Sequence, residues 1–291
     1  MNTSAPLFTL EPIGGAGGAD IGGLDLSRAL APDVVAALQR ALADHCVLIF
    51  RDQQLTPDHQ EAFARQFGEL AQTPFIAPLE GHPAMMRIVR EATETKKLNF
   101  GGRWHTDMSF APEPVMATCL YCRESPAVGG DTLWSNQMQA LDALSPGMQT
   151  MLRGLRVMHS ARRSYGPQGT YADDDLKSMR IEVSEAGLRE QAHPCVRTHP
   201  VNERDILFVN RVYAIRFEDM TEDESAPLLG FLNDHSQRPE FQIRLRWRPG
   251  TLALWDNRST QHLAINDYAG QRRVMDRLTI RGDRPYLRSA A

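Results

Sequence analysis

The sequence predicts a mainly β protein with covering helices, built as an antiparallel double sheet of jelly-roll type. Two observations carry that expectation: most apolar residues fall in short alternating segments bounded by turn residues, and only a few stretches have helical periodicity. Strands do not alternate regularly with helices, as a parallel sheet would require. The chain has 291 residues, of which 42% are hydrophobic and 23% charged, enough to bury a substantial core. It is read as a single domain, 1–291, with no internal repeat and no low-complexity linker.

The elements follow in order. Residues 7–27 read as short extended pieces around the glycine-rich GGAGGADIGG. No GxGxxG can be found there, so a dinucleotide site is not supported. An amphipathic helix begins at about Asp33, with Val34, Leu38 and Leu42 on one stripe, and leads into the buried strand CVLIF. Thr56 and Pro57 occupy cap and first-turn positions of a second helix, with Phe63, Phe67 and Leu70 facing inward. Helices also fit about 136–155 and about 221–236, the second opened by Thr221 and Glu224 at capping-box spacing. Most of the remainder reads as strands: MMRIVRE, VMATCLYC, DTLWS, ILFVN, FQIRLRW, TLALWD, TQHLA and RRVMDRLTIRG.

Composition excludes several functions. A net charge of −4 with scattered arginines offers no phosphate-tracking stripe, so nucleic acid is not an expected partner. No run approaches the ~20 apolar residues of a membrane span, and the amino terminus lacks signal-peptide character, so a cytoplasmic protein is expected. The four cysteines do not suggest a disulfide scaffold. Cys119 and Cys122 form a CxxC, but on a strand positions three apart point to opposite faces. Buried packing is the expectation there, with zinc or redox use as the alternative.

The stretch WHTDMSF, residues 104–110, puts His105 and Asp107 two apart in what reads as a half-buried strand. Side chains at i and i+2 of a strand share a face about 6–7 Å apart and can converge on one ion. A hydrogen-bonded surface pair is the alternative, because nine histidines produce such spacings by chance. His59-Gln60-Glu61 has the same spacing inside a helix, where those positions do not face each other. A facial triad needs one further ligand from a distant strand. His45 and His235 close helices, His159 follows one, and His82, His193 and His199 precede prolines in loops. His262 remains, in the polar WDNRSTQHLAIND just past an Asp256-Asn257 turn. In RRVMDRLTIRG, alternation sets Arg273, Met275, Arg277, Thr279 and Arg281 on one face and Val274, Leu278 and Ile280 on the other. If the arginine face turns inward, its guanidinium groups call for anions; the alternative is a solvated edge strand.

The ordered combination of WHTD, GGDTLW at 129–134 and WDNRSTQH at 255–262, with Arg273 beyond it, resembles the taurine dioxygenase family of iron(II)- and 2-oxoglutarate-dependent oxygenases. Similarity extends through RDQQLTPDHQEAFARQFGEL, HPCVRTHP, ILFVN and RGDRPY, nearly the whole chain. The resemblance implies a double-stranded β-helix core with His105, Asp107 and His262 as iron ligands. Thr132 and Arg273 would hold the far carboxylate of 2-oxoglutarate. It also implies O2 as co-reactant, release of succinate and carbon dioxide, and hydroxylation of a substrate, with or without its cleavage. The charges of iron, Asp107, 2-oxoglutarate and Arg273 sum to about zero, which a low-dielectric cavity tolerates.

Sulfonate-acting relatives carry a histidine, a tyrosine and an asparagine where this chain has Thr73, Ile76 and Gly101, which argues against taurine. Arg277 matches the family arginine that meets an anionic substrate group. A small anionic substrate with an apolar body is expected, lined by Phe75, Met108, Phe110, Tyr165 and Tyr213. Strict alternation sends Met108 and Phe110 away from the metal, so a bend after Asp107 is required. The alternative has Arg277 paired with an internal carboxylate and a neutral substrate. The polar segment from about 160 to 192 reads as a lid over the site or as a surface excursion. A zinc hydrolase or a non-enzymatic jelly roll are the competing classes, and a homo-oligomer, dimer or tetramer, is the expected assembly.

Overall fold

The computed structural model describes residues 7–94, 99–172 and 179–289. Its first half contains β1 (Thr9–Gly14), β2 (Gly17–Gly22), α1 (Pro32–His45), β3 (Val47–Phe50), α2 (Pro57–Arg65), β4 (Leu70–Ala71), β5 (Met85–Arg90), β6 (Ala117–Glu124), β7 (Thr132–Asn136), α3 (Gln137–Asp142) and α4 (Pro146–Arg153). There follow β8 (Arg156–Ser160), α5 (Arg162–Tyr165), β9 (Glu190–Pro194), β10 (Val196–Thr198), β11 (Asp205–Leu207), β12 (Ala214–Phe217), α6 (Glu222–Ser236), β13 (Gln242–Leu245), β14 (Leu252–Asp256), β15 (Thr260–Ala264) and β16 (Arg273–Ile280).

Two sheets form the jelly roll. The larger runs β1-β2-β3-β14-β6-β16-β4, with β5 also on β16, and only the β2–β3 pairing is parallel. The smaller, β13-β7-β15, faces it. Alternation along the strands builds two core layers. Leu48, Phe50, Cys119, Leu252, Leu254, Leu278 and Ile280 pack outward against Leu38 and Leu42 of α1 and Phe63 of α2. Val47, Ile49, Leu120, Cys122, Ala253, Trp255 and Met275 point inward and meet Trp134, Ile243 and Leu245 of the smaller sheet. The two CxxC cysteines therefore lie in different layers, and burial pushes their thiols up to about 12 and about 11. All four cysteines are free and buried.

The helix expectations hold in part. Pro32 and Pro57 sit at helix starts, and Thr221 and Glu224 close a reciprocal capping box on α6. His59, the HxE decoy, caps α2: the Thr56 backbone N–H donates to its Nδ1. Leu70, expected on the α2 stripe, belongs to β4, because the helix stops at Arg65. The expected helix at about 136–155 is two helices. Asn136 accepts from the N–H groups of Met138 and Gln139 to start α3, and Ser145-Pro146 starts α4 afresh, since Pro146 has no N–H to continue the first. His159 and His193 lie within β8 and β9 rather than after a helix and in a loop, and both are buried.

Strand β16 runs through the centre of the large sheet, paired with β6 along one edge and β5 along the other. Its alternation turns Arg273 and Arg277 inward, both buried, so the solvated-edge alternative fails. Arg281 lies past the strand, exposed and paired with Glu69. The outward face is not wholly apolar: Asp276 is fully buried there and takes Arg87 Nε at 2.7 Å and Arg123 Nε at 2.6 Å. No helix among the described residues is long and apolar enough to cross a membrane.

Candidate active site

The segment 104–110 is not the strand expected. Only His105 makes a sheet-like bridge, with His262, and residues 107–110 form a turn. The His105 N–H donates to His262 O at 3.1 Å and the His262 N–H to His105 O at 2.7 Å. The two histidines are thus cross-strand neighbours at the edge of β15, their ring centroids 4.1 Å apart. Met108 then adopts φ +50°, and Ala111 N–H closes the turn on Met108 O at 2.9 Å. This is the bend that the sequence required, and it carries Asp107 back beneath the histidines.

His105, Asp107 and His262 bring one ligand atom each within 4.8 Å of one another, and all three are buried. Asp107 Oδ1 lies 3.6 Å from His105 Nε2 and 3.7 Å from His262 Nε2. His105 Nδ1 sits 2.7 Å from Arg103 O. A carbonyl only accepts, so Nδ1 carries a proton toward Arg103 and Nε2 faces the cluster. Burial and the adjacent His105 hold His262 well below the ordinary imidazole range, as the neutral form a metal needs. Burial opposes ionisation of Asp107, but Arg277, His262 and His105 outweigh it and hold its carboxyl well below the usual range. Arg277 Nη2 lies 2.6 Å from the same Oδ1, so the pairing with an internal carboxylate, one of the two readings of Arg277, is present.

Arg273 is buried at the start of β16, and its Nε and Nη2 find no hydrogen-bond partner. It forms no ion pair with a carboxylate among the described residues, and burial lowers its pKa. Its guanidinium lies 6.0 Å from the Trp247 ring, and Trp247 Nε1 donates to Thr132 Oγ1 at 2.9 Å. The Thr132 hydroxyl proton therefore remains to be donated to another partner. Gly130 makes room: it has φ +70°, and a Cβ there would meet Tyr268 at 3.3 Å and Arg273 Cδ at 3.4 Å. A buried, unpaired guanidinium that shares the Trp247 neighbour with a hydroxyl donor fits the terminal carboxylate of a keto acid, and a two-histidine, one-carboxylate cluster fits a divalent iron.

Of the expected substrate-lining residues, Phe75, Phe110, Tyr165 and Tyr213 gather into one aromatic cluster with Ile76 and Tyr171. Phe75 stacks on Tyr165 at 4.9 Å, Phe110 meets Tyr213 edge-on at 5.0 Å, and the Tyr213 ring lies 6.3 Å from His105. Burial raises the Tyr213 and Tyr165 phenols. Met108 is not in that cluster; it lines a separate surface depression with Leu70, Pro112 and Arg281. A narrow pocket, open at its mouth, runs from His105 past Tyr213, Tyr165, Tyr171, Phe100 and Arg103. Of the segment 160–192, residues 173–178 lie outside the described residues. Its flanks reach the site through Tyr165, Tyr171 and Ile181, which bridges to Ile76.

Several contributors were not singled out from sequence. Trp247, Phe100 and Tyr171 become neighbours of the site only through long-range packing. Thr118, Trp255 and Asn257 were within reach, because the last two stand in the same WDN run that flagged His262.

Comparison with known proteins bears on this arrangement. The chain is 32% identical over 281 residues to an alpha-ketoglutarate-dependent sulfate ester dioxygenase of Pseudomonas putida, covering 95% of this chain and 90% of that one. It is 32% identical over 276 residues to an alkylsulfatase of Acinetobacter baylyi, covering 94% and 85%. The crystal structure of a taurine dioxygenase from Burkholderia xenovorans superposes with a TM-score of 0.80 at 33% identity, covering 96% of this chain and 93% of that one. The model of the family described as taurine catabolism dioxygenase TauD, TfdA matches residues 9–279. The chain belongs to that TauD, TfdA family and is a 2-oxoglutarate-dependent dioxygenase.

Proposed function

We propose that this chain uses iron(II), 2-oxoglutarate and O2 to hydroxylate a small anionic organic substrate, with an organic sulfate ester as the favoured class. The carrying observation is the orphaned, buried guanidinium of Arg273, on the same inward strand face as Arg277, which touches Asp107 of the His105/Asp107/His262 cluster. A zinc hydrolase using the same three ligands would give that guanidinium no partner. The names of the two sulfate-ester relatives support the substrate class.

His105, Asp107 and His262 would hold the metal, and Arg273 with Thr132 the far carboxylate of 2-oxoglutarate. With O2, that centre supplies the oxidising chemistry: decarboxylation of the keto acid to succinate and carbon dioxide, with one oxygen atom delivered to the substrate. The remaining work belongs to the chain. Phe75, Phe110, Tyr165 and Tyr213 enclose an apolar body and exclude water. Arg277 then has a second task. Once a divalent cation shares Asp107 Oδ1, the Arg277 charge is no longer needed there and can meet the substrate anion. Hydroxylation at the carbon bearing a sulfate ester leaves hydroxyl and sulfate on one carbon, which expels sulfate and becomes a carbonyl. The segments flanking 173–178 would act as a cover, since Tyr165, Tyr171 and Ile181 already close one wall. Cytoplasmic placement agrees with four free buried thiols, and a dimer or tetramer is the assembly to look for by light scattering.

Anaerobic titration with iron(II) and 2-oxoglutarate tests the reaction class: a weak visible charge-transfer band is expected, and its absence refutes it. Succinate formation across alkyl sulfates, carboxylates and their neutral methyl esters tests the substrate. The Arg277–Asp107 contact favours a second reading with a neutral substrate, and stimulation by the neutral esters alone would select it.

A further inference from the structure

Asp107 has a second carboxylate oxygen, and its partners form a chain. The Thr118 hydroxyl, on β6, donates to Asp107 Oδ2 at 2.7 Å. Asn257, in the turn after β14, donates from Nδ2 to the same Thr118 oxygen at 2.8 Å. Trp255, on β14 directly opposite Thr118, donates from Nε1 to Asn257 Oδ1 at 3.0 Å. All four side chains are buried.

The chemistry of the first link sets the direction of the rest. An indole N–H can only donate, so the amide must turn its oxygen toward Trp255 and its NH2 toward Thr118. The Thr118 oxygen already accepts from that amide, and its single proton goes to the carboxylate. We propose that Trp255, Asn257 and Thr118 form a one-way relay of positioning residues that makes Asp107 a single-oxygen metal ligand. Oδ2 is occupied by Thr118, and Oδ1 alone is left to face the Nε2 atoms of His105 and His262. The proposal rests on the metal reading above.

Trp255 also acts on the other side of the cluster. Its ring lies 4.9 Å from that of His262, whose Nδ1 has no hydrogen-bond partner. Metal-bound imidazoles are generally aimed by a bond from the second nitrogen. Here packing on Trp255 and the backbone bridge to His105 take that place. One tryptophan thus aims two ligands, one through hydrogen bonds and one through ring contact.

Thr118→Val keeps the shape and removes the hydroxyl, whereas Thr118→Ser keeps the hydroxyl. Binding of Mn(II) alone, read by titration calorimetry, is expected to weaken about 10- to 100-fold in Thr118→Val and to stay within about threefold of the parent in Thr118→Ser. Asn257→Ala, which leaves the hydroxyl but frees its direction, is expected to weaken binding severalfold; it carries the test if the valine variant unfolds. Unchanged affinity in the folded valine and alanine variants overturns the relay, as does an equal loss in the valine and serine variants. A parent protein that binds no Mn(II) overturns the metal reading instead.

Discussion

Replacing Arg273 by methionine is expected to make the free protein more heat-resistant while nearly abolishing 2-oxoglutarate binding. Two nitrogens of this buried guanidinium have no partner, and no carboxylate pairs with it among the described residues. Leaving such groups unsatisfied costs on the order of 1–3 kcal/mol, which an apolar side chain of similar length does not incur. What methionine gives up is a guanidinium–indole contact at 6.0 Å, the far limit of that attraction. At roughly 2–4 °C per kcal/mol, the melting temperature should rise by on the order of 2–12 °C. With the cosubstrate bound, the balance reverses. Two charge-assisted hydrogen bonds to a carboxylate contribute roughly 1.5–3 kcal/mol each, so the variant should bind about 10²–10⁴ times more weakly. Melting curves without ligand, and calorimetry with Mn(II) and 2-oxoglutarate, read the two quantities separately. A variant that melts lower and still binds 2-oxoglutarate with near-parent affinity would refute the assignment.

Arg277→Gln is expected to raise KM for anionic substrates by about 30-fold or more, the cost of removing one partner of a buried charge pair, while leaving neutral surrogates little changed. Equal effects on both substrate sets would show that this arginine serves only Asp107. Acid stability should depend on His193, which burial lowers from 6.5 to about 4, and whose Nε2 lies 3.0 Å from Ala111 O. The unfolded chain takes up the proton first, so stability is full above pH 6.5 and declines as the pH falls toward 4. The loss is about 3 kcal/mol. Urea midpoints of the parent and of His193→Gln across that window should diverge in slope, and parallel curves would rule this out.

Residues with local chemical signatures could be read ahead of the structure. The WHTD and WDNRSTQH runs held all three members of the buried cluster, and alternation in RRVMDRLTIRG placed Arg273 and Arg277 on one face before their direction was known. Capping chemistry at Thr56 and Thr221 fixed two helix starts. Failures came where tertiary contacts override local pattern. WHTDMSF alternates like a strand but is not one; the bend after Asp107 that the alternation called for is there, with Met108 at a positive φ. Met108 and Phe110 are only two residues apart, but the turn sends Phe110 into the aromatic cluster and Met108 into another depression. The helix expected through 136–155 ignored the restart offered by Ser145-Pro146. Asp276 gave no sign of its burial, since Arg87 and Arg123 come from two other strands.

The mutual backbone bonds between His105 and His262 tie a turn in the first half of the chain to a strand near its end. Such a seam closes late, because distant segments must meet before their contacts reward the lost chain entropy. A nascent polypeptide therefore cannot gather the His105/Asp107/His262 cluster until β15 has left the ribosome, by which time the surrounding aromatic wall is already synthesised. The order of synthesis thus puts completion of the cluster after that of the wall around it.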